Sequence, residues 1–152
     1  MQKICVIGLG YVGLPVCLKI SKKYETIGFD TNKKRIYNLQ KHKDENNEFS
    51  KKNFIKKQVK FTNKIDDIKR CNFFIICVPT PLKKNKNPDL NPVKKSFDTI
   101  SKVLKKNDII VLESTVYPGV TERFSKILEK NTNLKSNKDF YVCYSPERIN
   151  PG

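Results

Sequence analysis

At 152 residues the chain is long enough for one domain with a sizeable core and too short for two comfortable ones. Its formal charge of +16 would suit a nucleic-acid binder, but lysine outnumbers arginine by 27 to 4. The lysines come as doublets on nearly every expected helix and loop, with no single patch interleaved with aromatics, whereas specific phosphate and base readout favours arginine's planar fork. A general lysine bias accounts for the charge, and no specific nucleic-acid partner is expected.

No opening stretch has a basic head, an apolar middle and a small-residue cleavage site, and the longest apolar run, Phe73 to Val78, is far too short to span a bilayer. The expectation is a soluble cytoplasmic protein with no membrane partner. Five cysteines (Cys5, Cys17, Cys71, Cys77, Cys143) form no CxxC pair and no metal-ligand spacing, so no metal site is expected. They read as buried, reduced thiols. Cys143 is included, because alternation along its strand makes it a packing residue first.

Short apolar runs alternate with helical patterns from end to end, which predicts βαβ units and a mostly parallel sheet. Lys3 to Gly8 reads as a buried first strand, Tyr11 to Lys23 as a helix, Thr26 to Asp30 as a second strand and Lys33 to Lys41 as a helix. Lys43 to Lys57 is polar and reads as a loop with room for a short helix. Val59 to Thr62 suits a short edge strand, with a small helix near Asp66 to Arg70. Asn72 to Val78 is the strongest strand signal. A Pro, Lys and Asn-rich loop (Thr80 to Pro88) leads to a helix over Pro92 to Lys105. A fifth strand over Asp108 to Glu113, a helix over Pro118 to Glu129 and a sixth strand over Asp139 to Ser145 complete the order. The fold class is α/β, a single domain with a doubly wound six-stranded sheet of Rossmann type, whose usual strand order is 3-2-1-4-5-6. Periodicity does not itself supply that order.

The loop Gly8-Leu9-Gly10-Tyr11-Val12-Gly13 follows a strand and opens a helix. There Gly8 permits the tight turn, Gly10 lets the backbone approach a pyrophosphate, and Gly13 lets helix and strand pack closely. Helix N–H groups and the helix dipole would hold the phosphates. Asp30 ends the second strand about 20 residues after Gly10, where a carboxylate accepts the adenosine ribose hydroxyls and repels a 2′-phosphate. The alternative for Asp30 is a cap on the next helix. The basic run Lys33-Lys34-Arg35 could accept a 2′-phosphate, but Asp30 holds the deciding position, which favours NAD. Val78-Pro79-Thr80-Pro81 follows the fourth strand, where Thr80 offers a hydroxyl to a cofactor or simply belongs to a rigid turn. Within Glu113 to Gly119, Thr115 reads equally as a helix cap or a functional hydroxyl.

These motifs (GLGYVGLP, Asp30, VPTP, ESTVYPG and YSPERINPG) in this order and spacing resemble the UDP-glucose/GDP-mannose dehydrogenase family. The ending looks like the branch that oxidises UDP-N-acetylhexosamines for surface polysaccharides. The resemblance covers the chain from Met1 to Gly152 and implies an NAD-dependent oxidation of a sugar C6 alcohol to a carboxylate through a cysteine-bound intermediate. Carried over motif by motif, it implies that Tyr11, Val12, Asp30, Arg35, Thr80 and Thr115 contact NAD. Thr115 would also position water, Glu147 would act as acid/base group, and Glu147, Arg148 and Ile149 would begin the nucleotide-sugar site. Taken without the family, Glu147 beside Arg148 is a simple surface pair. None of the five cysteines sits in the family's nucleophile motif, so the chain reads as an apparently truncated NAD-binding domain, 1–152. The central helix, the substrate domain and much of a homo-oligomer interface would follow it. UDP-glucose as substrate, or a stand-alone nucleotide-binding module, are the competing readings.

Overall fold

The computed structural model describes residues 2–54 and 59–146. Six strands, β1 (Lys3–Ile7), β2 (Glu25–Phe29), β3 (Val59–Thr62), β4 (Phe73–Ile76), β5 (Asp108–Leu112) and β6 (Phe140–Tyr144), form one sheet in the order β3-β2-β1-β4-β5-β6. Every pairing in it is parallel. Between them run α1 (Gly13–Ile20), α2 (Lys33–Gln40), α3 (Ile65–Ile68), α4 (Asn91–Ser101) and α5 (Val120–Thr132). This is the doubly wound order expected from the motifs, and the sheet is wholly parallel where the sequence suggested mostly so.

A parallel sheet with both faces covered needs strands that are apolar on both sides. β1 meets that need residue by residue. Ile4 and Val6 join a core with Leu14, Cys17 and Leu18 of α1, Ile36 and Leu39 of α2, and Phe61 of β3. Cys5 and Ile7 point into the opposite core, built from Phe74, Ile76, Ile110 and Leu112 with Phe97 and Ile100 of α4 and Phe124 and Leu128 of α5. In that second core the Phe97 and Phe124 rings stack with centroids 4.8 Å apart. The register aligns Ile7 with Phe29 and Ile76, and Ile76 with Leu112, so four strands end at one level.

Several element ends differ from expectation for local reasons. α1 starts at Gly13, because Tyr11 and Val12 belong to the turn of the glycine loop. It ends at Ile20, where Ser21 Oγ donates to the Leu18 carbonyl and the chain turns toward β2. α4 stops at Ser101, whose hydroxyl donates to the Asp98 carbonyl. α5 starts two residues after Pro118, since Gly119 enters the helix with φ 90°, and it runs to Thr132 before a left-handed Asn133 ends it. Within the polar segment after α2, a short 3-10 turn covers Lys51–Asn53.

The join between β1 and α1 is too close to admit a side chain. Gly8 has φ 89°, and a Cβ added to Gly13 would sit 1.7 Å from the Gly8 carbonyl oxygen. No side chain fits there, so only glycine lets the helix start so close to the strand end.

Four cysteines are buried as expected, but Cys143 is exposed. It lies on the edge strand β6, and the strand's packing against the α5 core is made by its neighbour Val142 on the other face. Alternation identified the two faces of β6 but not which one the helices cover. Burial pushes the Cys17 thiol up to about 12 and also raises Cys5.

Two outcomes follow. One thiol of the native chain should react rapidly with a disulfide reagent such as DTNB at pH 8, and Cys143→Ser should abolish that reaction; a second fast thiol would contradict the packing. Gly13→Ala should destabilise the fold by about 3 kcal/mol, the upper range for overpacking, read as a lower denaturation midpoint at unchanged slope.

Candidate functional site

The sheet order reverses between β1 and β4, and the loops that leave β1, β2, β4 and β5 open at the same edge. They border a cleft of about 570 Å³ whose walls include Gly8, Leu9, Gly10, Asp30, Thr31, Val78 and Pro79, with Lys95, Ser96 and Thr99 of α4 opposite. A second cleft of about 380 Å³ holds Tyr11, Val12, Thr80, Glu113, Ser114 and Thr115. The two share Gly10, Cys77, Val78 and Pro79, so they form one groove across the glycine loop.

At its β2 end the groove is organised by Asp30. One carboxylate oxygen accepts the Leu9 N–H and the other the Asn32 N–H, each at 2.9 Å. Asp30 does not cap α2; Asn32 does, accepting the Arg35 N–H at 3.1 Å. Arg35 is buried behind the loop and lines neither cleft. Its Nε donates to the Leu9 carbonyl at 2.9 Å, and Nη1 donates to Asp44 Oδ1 at 2.7 Å.

At its β5 end the loops are tied to one another. Thr80 Oγ1 donates to the Thr115 carbonyl at 2.8 Å, and Ser114 Oγ donates to the Val78 carbonyl at 2.7 Å. Thr115 caps no helix: α5 begins after Gly119, and the Thr115 side chain is exposed in the groove. Cys77 Sγ donates to Glu113 Oε2 at 3.4 Å in the floor between the two loops.

Of the residues singled out in the sequence, Gly8, Gly10, Tyr11, Val12, Asp30, Thr80 and Thr115 therefore meet along one groove. Gly13 stands behind it, packing the helix onto the strand. Glu147, Arg148 and Ile149 lie outside the described residues. Three participants carried no sequence signal of their own. Ser114 and Glu113 sat inside a motif without assigned roles, and Asp44 lay in a polar stretch whose partner, Arg35, is nine residues away.

Two features fit the groove to an extended, doubly anionic ligand. A Cβ on Gly10 would have no atom within 4 Å, so no neighbouring atom demands glycine there, and the loop faces open space at that point. At the start of α1 the Leu14 N–H is taken by the Gly10 carbonyl at 3.2 Å and Pro15 has no N–H, so what the terminus offers that space is chiefly the positive end of its dipole, with the Gly13 N–H. Asp30 supplies the opposite sign at the far end, suited to neutral hydroxyls. Among the described residues, no group of His, Cys, Asp and Glu could hold a metal ion, and no helix is long and apolar enough to cross a membrane.

Comparison with known proteins agrees with this geometry. The chain is 50% identical to the UDP-N-acetyl-D-glucosamine 6-dehydrogenase of Salmonella typhi, over 99% of its own length and 36% of the relative's. It is 46% identical to Protein CapL of Staphylococcus aureus over the same shares. Among solved structures, the UDP-D-ManNAc dehydrogenase of Pyrococcus horikoshii matches with a TM-score of 0.92 at 33% identity, over 99% of this chain and 37% of that one. The chain thus spans about a third of the length of the relatives it matches. The family profile described as "UDP-glucose/GDP-mannose dehydrogenase family, NAD binding domain" matches residues 2–152, and the chain belongs to that family as its NAD-binding domain.

Proposed function

We propose that this domain serves a nucleotide-sugar 6-dehydrogenase that oxidises the C6 alcohol of a UDP-N-acetylhexosamine to a uronate, in polysaccharide biosynthesis. The observation that carries the reading is the single groove in which Asp30, the glycine loop, Thr80 and Thr115 lie in the order of a dinucleotide's parts. The relatives named for UDP-N-acetylglucosamine oxidation support this substrate class over UDP-glucose.

NAD, when bound, supplies the hydride acceptor for the alcohol and aldehyde stages. The chain's own residues bind and orient. Asp30 receives ribose hydroxyls, and the α1 terminus with Gly10, Tyr11 and Val12 holds the pyrophosphate. Thr80 and Thr115, locked together by their hydrogen bond, set the wall at the reacting end. Thr115 presents its free hydroxyl to water near the sugar carbon. Glu147 acts as the acid/base group in hydrolysis, and Arg148 and Ile149 begin the sugar-nucleotide site. The thiol that captures the aldehyde belongs to a region absent from these 152 residues, so the chain alone binds cofactor and turns over no UDP-sugar. The proposal includes a cytoplasmic location and a homo-oligomeric whole enzyme.

Calorimetric titration tests the cofactor half. NAD should bind saturably and NADP more weakly; no saturable binding, or a preference for NADP, would contradict the role given to Asp30. Gly10→Ala should weaken NAD by about tenfold or more, the scale of a lost charge-assisted contact, while leaving the melting temperature unchanged. An unaltered affinity in that variant would move the pyrophosphate site elsewhere.

A further inference from the structure

Asp44 belongs to none of the motifs, yet its side chain is wholly buried and forms an ion pair with a guanidinium that is only 8% exposed. Every other ion pair among the described residues has at least one well-exposed partner. Asp44 also accepts the N–H groups of Asn46 at 3.2 Å, Glu48 at 3.1 Å and Phe49 at 3.2 Å, so the loop after α2 curls around its carboxylate. Arg35 links that loop to the cofactor groove. Its Nε holds the Leu9 carbonyl, while Asp30 holds the Leu9 N–H from the other side. The Leu9 backbone is thus gripped at both ends, its N–H by Asp30 in the groove and its carbonyl by Arg35 behind the loop. Arg35 Nη2 is buried with no hydrogen-bond partner among the described residues.

A guanidinium near a ribose-binding carboxylate is a hazard for NAD selectivity. Its fork matches a phosphate, and its charge would cancel that of Asp30. Asp44 removes both problems. With Asp44 ionised, Asp30, Arg35 and Asp44 together carry one negative charge; without it they carry none.

We propose that Asp44 is a positioning and cofactor-selectivity residue: by tying Arg35 to the Leu9 carbonyl and neutralising it, Asp44 keeps the ribose end of the groove negative and closed to a 2′-phosphate. This rests on the NAD reading above. It separates two roles that the run Lys33-Lys34-Arg35 left mixed, since Arg35 becomes a brace of the loop and not a phosphate receptor.

The test is Asp44→Asn in the 152-residue chain, titrated with NAD and NADP at low and moderate salt. Asparagine keeps the size and an acceptor for the loop N–H groups but loses the charge. The ratio of the NADP to the NAD dissociation constant should fall by about tenfold or more, with the larger fall at low salt. Arg35→Gln with Asp44→Asn should return the ratio to that of the unmodified chain, because the freed cation is gone. Equal weakening of both cofactors by Asp44→Asn, or the same fall in the double variant, would overturn the proposal. Should circular dichroism show Asp44→Asn unfolded, Asp44→Ser, whose hydroxyl still accepts from the loop, carries the same expectation. A chain that binds neither cofactor before mutation would overturn the NAD reading, and this inference with it.

Discussion

The contact between Gly8 and Gly13 brings the start of α1 onto the end of β1 more closely than any side chain would allow. Everything at the groove follows from that approach. The helix terminus, with the positive end of its dipole, is delivered to the switch point of the sheet, and Gly10 is left facing open space. Leu9, caught between the two, points its side chain into the α1/α2 core and offers its backbone to Asp30 and Arg35. The glycine loop is therefore held from three directions before any ligand arrives. That preorganisation lowers the ordering cost which binding would otherwise have to meet.

The groove divides its electrostatics along its length. The helix dipole and backbone donors make the middle attractive to a pyrophosphate, while Asp30 makes one end suited to uncharged hydroxyls. Toward β5, the hydrogen bonds from Thr80 to Thr115 and from Ser114 to Val78 fasten the two loops whose spacing sets that end. The overall charge of +16 plays little part in this arrangement. Its lysines lie mostly on the surface, and the few that pair, such as Lys34 with Glu45 and Lys69 with Asp66, do so in weak, screened contacts.

Much of this was legible in the residues themselves. The central strands were readable because buried parallel strands are apolar runs; the edge strand β3 was found with its observed ends, and β1 and β4 within two residues. The three roles of the glycines followed from a motif whose mechanics are local. What was not legible depended on distance in space. The Arg35–Asp44 pair, the Ser114 link to β4 and the exposure of Cys143 each require knowing which loops and faces meet. Thr115 was ambiguous for a related reason: a hydroxyl before a helix reads as a cap until the helix is seen to begin after a left-handed Gly119. The family resemblance supplied the substrate class, which no feature of the groove specifies.

The most direct test of the central claim is a crystal structure of the chain grown with NAD. The account predicts a dinucleotide along the single groove, its adenosine ribose on Asp30, its pyrophosphate over Gly10, and Arg35 still bonded to the Leu9 carbonyl and Asp44. A cofactor lying elsewhere, or an Arg35 that leaves Asp44 to contact the ribose, would contradict it.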